Sequence, residues 1–319
     1  MFASASPREG MYESFYLRAL SPTEPIGAWI RYTVHKRPGE RPKGSLWCTV
    51  FDARAPAPSQ YKHTTEELGV PRRGWIAIGA DSSFGADFAE GACGQARWSL
   101  RFQSTERELR HLPRQWMYRA PLPRTKLTSP APAARFRGTL ELGDRRLELE
   151  DWPGMVGHNW GSEHAERWIW LHAINFQEDP DAWLDLAIGR IGVAGRMTPW
   201  VANGALSLGG ERHRLGGLRS RGLSVRESAT SCSLRIAGEH GLTAEIEVKD
   251  PPRTAAGWSY ADPDGATHDV VNCSIAQLSL NVREAGRPAL ELHSDHGAAY
   301  ELGMREHHHG IPIAPFPDG

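Results

Sequence analysis

The 319-residue chain lacks several features, and each absence removes a class of protein. It has no apolar run long enough to span a bilayer as a helix. Its N-terminus, MFASASPREGMYESFYL, has no basic n-region and no apolar h-region, so no secretory signal is expected. It has no excess of charge: 37 Lys and Arg stand against 38 Asp and Glu, which leaves no basic field for nucleic acid and no like-charged tail. Cysteine is scarce. Cys48, Cys93, Cys232 and Cys273 lie far apart with no C-x-x-C spacing, which predicts reduced, mostly buried thiols and a cytoplasmic location. No G-x-S-x-G, Walker or dinucleotide fingerprint occurs, and Gly209-Gly210 and Gly216-Gly217 read as turns because no helical pattern follows them. In His307-His308-His309 only the outer two share a face, and no carboxylate or cysteine completes a ligand set. No metal and no cofactor are therefore expected.

Short strands dominate what is present. Gly (33) and Pro (23) are plentiful, which favours many turns, and twelve Trp imply large aromatic surfaces in a core or pocket. Residues 95–103 alternate cleanly, with Ala96, Trp98, Leu100 and Phe102 inward. Residues 137–142 and 145–149 read as a hairpin about Gly143-Asp144. Thr64 and Glu67 fit a capping box for one short helix, and the Pro-rich stretch 113–134 reads as a long surface connection. Further strand-like runs recur to the C-terminus, among them 182–188, apolar on both faces, and 205–208, 232–236, 242–248, 268–276 and 289–293. Strands at this spacing predict an all-β chain of sandwiches or barrels. Their number is too large for one small barrel, so two barrels or half-barrels are expected to meet near residues 150–165.

The richest stretch, Gly157 to His172, lies at the midpoint and holds three Trp, three His and two Glu. Its glycines predict a turn or bulge at or beside His158-Asn159-Trp160. Beyond it, Trp168, Trp170 and His172 point one way and Ile169, Leu171 and Ala173 the other, the pattern of a strand buried on both faces. The same period pairs His158 with Trp160, and Trp183 with Asp185. An Asp between Leu184 and Leu186 is costly to bury ionised, so desolvation should favour its protonated form. A neighbouring His could recycle that proton, and Trp faces stabilise cations. An acid, a His and several Trp round an apolar cavity suit protonation of an alkene. Structural readings compete at each position: backbone satisfaction for His158, core filling for Trp168 and Trp170, and an ion pair of Asp185 with Arg190 or Arg167. Glu163 and His164 are expected at the rim as auxiliary groups. Asn272 reads as a buried amide that fixes strand register.

Three stretches carry a resemblance: Gly157-His158-Asn159-Trp160-Gly161, Trp168-Ile-Trp170-Leu-His172 and Asp269-Val-Val-Asn272-Cys-Ser-Ile-Ala276. They resemble the two-domain, lipocalin-like group of carotenoid 1,2-hydratases, tocopherol cyclases and related bacterial proteins. The resemblance implies one lipocalin-like barrel over residues 1–155 and a second over 156–319. In the hydratases an H-x-W is followed some two dozen residues later by Y-x-D. His158 and Trp160 match the first pair and Asp185 the last residue, but Trp183 stands where the Tyr would be. The implied activity is cofactor-free, acid-initiated hydration or cyclisation of an isoprenoid or other polyunsaturated apolar substrate. Asp185 would be the donor and His158 its partner. Trp160, Trp183, Trp168, Trp170, His172 and Asn272 would contact the substrate, which transient contact with a membrane could supply. A pericyclase that folds a polyene, and a non-catalytic carrier or sensor of an apolar ligand, remain open.

Overall fold

The cleanest alternation in the sequence forms a strand, Ala96–Gln103, in which every other side chain is buried and the rest are exposed. The same rule builds almost the whole molecule, seen in a computed structural model that describes residues 9–71, 73–193, 196–217, 222–250 and 252–316. The first sheet contains β1 (Met11–Leu20), β2 (Ile26–Lys36), β3 (Lys43–Asp52), β4 (Ser59–Thr65), β5 (Ile76–Ile78) and β6 (Ser82–Phe84). It continues with β7 (Phe88–Cys93), β8 (Ala96–Gln103), β9 (Leu109–Arg110), β10 (Thr125–Leu142) and β11 (Arg145–Gly161). Its strand order is β4-β3-β2-β1-β11-β10-β8-β7-β6-β5, with β9 also on β10. An isolated bridge between Leu68 and Ile78 draws the two edges together, so the sheet is a nearly closed barrel.

The second sheet begins after residue 166. It contains β12 (Arg167–Ala173) and β13 (Trp183–Arg190), and a small separate hairpin follows, β14 (Gly192–Val193) with β15 (Arg196–Met197). Then come β16 (Val201–Leu208), β17 (Glu211–Gly216), β18 (Ser224–Ser228), β19 (Ser231–Ala237) and β20 (Thr243–Lys249). β21 (Ala256–Ala261), β22 (Thr267–Arg283) and β23 (Leu290–Met304) complete it. The order is β17-β16-β13-β12-β23-β22-β20-β19-β18, with β21 on β22. Among the described residues the only helical turns are 3-10 segments at Gln115–Tyr118, Glu239–Gly241 and Pro252–Thr254. The expected all-β, two-barrel architecture is the observed one.

Two elements differ from the sequence-based expectation. The capping box at Thr64 forms no helix, because Thr64 lies in β4 and its hydroxyl bonds Ser45 across the strand pair at 2.9 Å. The turn signal acts one residue later, where Thr65 Oγ1 accepts the Glu67 N–H at 3.0 Å. The Pro-rich stretch is also not a surface connection throughout, since from Thr125 it is β10, paired with β11 and β8. Pro130 and Pro132 fit there because the register slips between Thr128 and Ala131 and again between Ala131 and Ala134. At such bulges a residue without an N–H costs no ladder bond. The first bulge faces Gly157, so His158-Asn159-Trp160 sits beside a bulge in regular strand. The hairpin about Gly143-Asp144 forms as expected, with positive φ at Gly143 only, which matches a II′ turn.

Period two also sets how the sheets meet. In β1, β2, β3 and β11 one face, with Leu17, Ile30, Cys48 and Val156, fills the first barrel. The other face carries Tyr16, Trp29, Trp47, Phe51 and Met155 into the core of the second half. Trp47 and Trp258 meet edge to face at 5.0 Å. Each such fully buried Trp removes about 150–250 Å² from water, an upper estimate of roughly 4–6 kcal/mol. A polar bolt crosses this apolar layer at Arg18. Arg18 of β1, fully buried, donates to the Ser274 carbonyl through Nε (3.3 Å) and Nη2 (2.8 Å) and to His172 Nδ1 through Nη1 (2.9 Å). Burial pushes its pKa down to about 9.

Arg18→Ala should leave the His172 lone pair and the Ser274 carbonyl unpaired around a new void. The expected loss is about 2–5 kcal/mol of unfolding free energy. Urea unfolding should show both halves shifting together in one transition. A wild-type midpoint in Arg18→Ala would remove the bolt from the account of the interface.

Candidate active site between the sheets

The two-faced strands leave one apolar cavity of about 360 Å³ where the sheets meet. Tyr16, Trp29, Arg31 and Asn159 line it from the first sheet, and Trp168, Trp170, Ile188, Tyr260 and Glu301 from the second. Residues 111–127 cover one side through His111, Leu112, Met117, Leu122, Thr125 and Leu127. Beside Arg31, Asn159 and Asn203, three polar clusters reach the apolar wall.

The first begins at Asp185, which is fully buried in β13 directly opposite His172. Ser129 Oγ donates to its Oδ2 at 2.5 Å, Trp170 Nε1 donates to Oδ1 at 3.3 Å, and His111 Nε2 lies 3.5 Å from Oδ2. Neither Arg190 nor Arg167 is a partner. Arg190 donates to the Thr198 carbonyl, and Arg167 pairs with Glu227 and Glu306. His111 Nε2 also lies 3.1 Å from Ser129 Oγ, and its Nδ1 faces the Asn203 carbonyl at 3.3 Å. With the Ser129 proton on Asp185, both ring nitrogens of His111 face oxygen acceptors. Burial alone would raise the Asp185 pKa, as the sequence suggests. The charge and hydrogen bond of His111, then His172 and Ser129, outweigh burial and hold it below the usual carboxylate range. Asp185 at rest is thus a carboxylate, not the neutral acid expected from its leucine neighbours.

The second polar group is Glu301 of β23. It accepts from Trp168 Nε1 at 3.0 Å, from Asn272 Nδ2 at 3.2 Å and from the Tyr260 hydroxyl at 3.5 Å. Asn272 therefore acts on the cavity through Glu301. The third is His164, which is not at the rim. It is buried, stacks on Tyr12 with centroids 4.2 Å apart, and is held by Asp262 Oδ1, which lies 2.7 Å from both its Nδ1 and its backbone N. Glu163 is partly exposed and pairs with Arg124.

The remaining sequence candidates fall on either side of the cavity. His158 and Trp160 do share a face, with rings 4.5 Å apart. That face belongs to the first barrel, where His158 stacks on Phe15 at 4.0 Å and its Nε2 lies 3.0 Å from Glu13 Oε1. Asn159, between them, is the residue that lines the cavity, and its Oδ1 is buried with no hydrogen-bond partner among the described residues. Trp183 lies behind Asp185 with Leu20, Leu109, Ile174 and Ala205, under the Arg212 guanidinium. His172 is buried with Nδ1 accepting from Arg18 and Nε2 donating to the Pro132 carbonyl at 2.9 Å. His111, Glu301, Arg31 and Tyr260 line the cavity and Ser129 stands behind His111, and no local spacing in the sequence marks them.

Comparison with known proteins adds fold but little chemistry. No protein-family model matches the chain. Uncharacterised proteins of Mycobacterium tuberculosis strains CDC 1551 and H37Rv are 26% identical over 310 residues, covering 93% of this chain and 87% of theirs. Kievitone hydratase from Nectria haematococca has a similar fold (TM-score 0.56, 10% identity, 92% of this chain and 89% of that one). So do CghA (TM-score 0.52, 12% identity, 95% and 91%) and a protein described as an AttH candidate from Nitrosomonas europaea (TM-score 0.50, 13% identity, 95% and 95%). The chain thus shares its two-barrel fold with a hydratase. No helix among the described residues is long and apolar enough to cross a membrane.

The buried His172 gives a pH test. Burial first, and the Arg18 charge second, push its pKa from 6.5 down to about 4. Below pH 6.5 the unfolded chain binds a proton that the folded chain refuses, so stability should fall as pH drops from 6.5 towards 4. The loss from this residue is on the order of 3 kcal/mol. His172→Gln keeps one acceptor and one donor and should flatten that fall in urea melts taken across the window. An unchanged slope would mean that other groups set the acid limb.

Proposed function

We propose that the chain is a hydratase or cyclase that protonates an unsaturated apolar substrate, an isoprenoid or another polyene, in the cavity between the sheets, and that this step draws on protein groups alone. The observation that carries the reading is the buried line Asp185–Ser129–His111, which ends on an imidazole facing an apolar cavity. Its long, weak end, Nδ1 to the Asn203 carbonyl, lies among cavity-lining residues. That N–H is the proposed proton donor, and Asp185 is the counter-charge that holds the proton ready. The proton adds to one alkene carbon as the π bond is consumed, and the neighbouring carbon becomes a cation. The rings of Trp168, Trp170 and Tyr16 offer π-faces to that charge, and an apolar wall keeps bulk water from quenching it. In hydration water attacks the cation and its extra proton returns to His111; in cyclisation a second double bond attacks, and the cation this leaves loses a proton to His111 to give an alkene. Trp183 and His172 support Asp185 from behind. His158, turned to the other barrel, has no part in this line. The activity for which kievitone hydratase is named supports hydration as the reaction class on such a fold.

A carrier or sensor is the second reading, favoured by the fully partnered, fully buried Asp185. One experiment separates the readings. Incubating the protein with a panel of polyenes in water enriched in heavy oxygen should label a hydrated product, whereas cyclisation yields an unlabelled isomer. Asp185→Asn and His111→Gln should each keep ligand binding and lower turnover by about 10²–10⁴-fold, as for a lost general acid. Recovery of every ligand unchanged supports the carrier, and turnover that survives both substitutions supports a pericyclic reaction needing no acid.

The cavity itself has a separate check. An apolar polyene should quench Trp fluorescence saturably, and Trp170→Ala should weaken the quenching. Trp160→Phe, outside the cavity, should leave it intact. The opposite pattern would move the ligand into the first barrel.

A further inference from the structure

The hairpin joining β21 to β22 turns at residues 262–266, where the Asp262 N–H bonds the Ala266 carbonyl at 2.7 Å. Asp262 and His268 stand on either side of this turn, and both are fully buried. His164, from the crossing between the sheets, packs against them. Its ring lies 5.9 Å from that of His268, and Trp168 covers His268 edge-on at 5.1 Å. The nitrogen and oxygen atoms that the three side chains offer lie within 4.8 Å of one another.

Hydrogen bonding leaves this cluster incomplete. Asp262 Oδ1 is satisfied by His164, but Asp262 Oδ2, both ring nitrogens of His268 and Nε2 of His164 are buried with no hydrogen-bond partner among the described residues. His268 Nδ1 and Asp262 Oδ2 face each other at 3.7 Å, too far for a hydrogen bond. Buried polar atoms normally have partners, and four orphans on three touching side chains are exceptional.

We infer that His164, Asp262 and His268 bind a divalent first-row transition metal ion such as zinc or iron(II). Two imidazoles and a carboxylate are the donor set that such ions take. Bonds of about 2.0–2.2 Å require the donor atoms to draw closer by roughly an ångström, which side-chain rotation supplies. Three protein ligands leave coordination positions free for water or a ligand oxygen, and one of the three, His164, also lines the cavity. The site is distinct from the Asp185–Ser129–His111 line.

Cobalt(II) titrated into the metal-stripped full-length protein should give one saturable site with visible d–d absorption, displaced by zinc. His268→Ala and Asp262→Asn should each weaken binding by roughly 100-fold or more. His307→Ala, whose side chain bonds Asp269 instead, should leave binding unchanged. If a substituted protein fails to fold by circular dichroism, zinc protection of His164 from diethyl pyrocarbonate in the native chain provides the same readout. Three results would overturn the site: no saturable binding of zinc, cobalt(II) or iron(II), leaving a trapped water as the partner; binding that persists in both His268→Ala and Asp262→Asn; or binding lost in His307→Ala. The polyene turnover test reads out a different cluster, so the two proposals fail independently.

Discussion

The structure depends on charge that is buried without being neutralised in the usual way. Arg18 crosses from the first sheet to the second and meets a backbone carbonyl and a neutral histidine, with no carboxylate among its described partners. A guanidinium in that position is tolerable only if every donor has a well-placed acceptor. That demand fixes the tautomer of His172, which in turn places its Nε2–H on the Pro132 carbonyl. Pro132 is held at a bulge of β10, and the same strand carries Ser129 to Asp185. The seam is thus a chain of dependencies in which each group has one acceptable orientation. Low dielectric makes such a network rigid when complete and costly when broken.

This rigidity explains where the cavity lies. β1, β2, β3 and β11 each show one face to their own barrel and the other to the neighbouring half. Large rings on the outer face, Trp29 and Trp47 among them, meet Trp258 of β21 and hold the sheets apart there. The cavity opens beside them, and the polar seam supplies its reactive wall. Residues 111–127, which carry His111 at one end, close the remaining side. A site built in this way has its charged groups on rigid strands and its cover on irregular chain, a division common in binding sites.

The fold was legible because period-two alternation is local. Residues 96–102 and the hairpin at Gly143 could be placed from neighbours alone. The site was legible only in part. The sequence correctly paired His158 with Trp160 and Trp183 with Asp185, since residues two apart in a strand share a face. Which face looks into which half could not be read, because β11 is apolar on both sides and its orientation is set by pairing with β1, where Phe15 faces His158 from 143 residues earlier. Asp185 was visible as an anomaly between two leucines. Its ionisation was not, because His111 and Ser129 reach it from 74 and 56 residues away. Proline misled at residues 130 and 132 for a physical reason: it excludes regular strand but not a bulge. Asp262 and His268 escaped notice because their relation is made by a hairpin turn, and the third member, His164, comes from the connection between the two sheets, 98 residues before Asp262.

The outward row of Tyr16, Trp29, Trp47, Phe51 and Met155 belongs to the core of a half that is made later. Synthesis runs from the N-terminus, so the first barrel can close on its own inner residues before residues 167–304 leave the ribosome. During that interval it presents a broad aromatic face and the Arg18 guanidinium without their native cover. The nascent chain is therefore most vulnerable to aggregation when half complete, and a pause or truncation near the midpoint would release a species that chaperones must hold. The join that creates the cavity thus sets a hazard in time as well as a site in space.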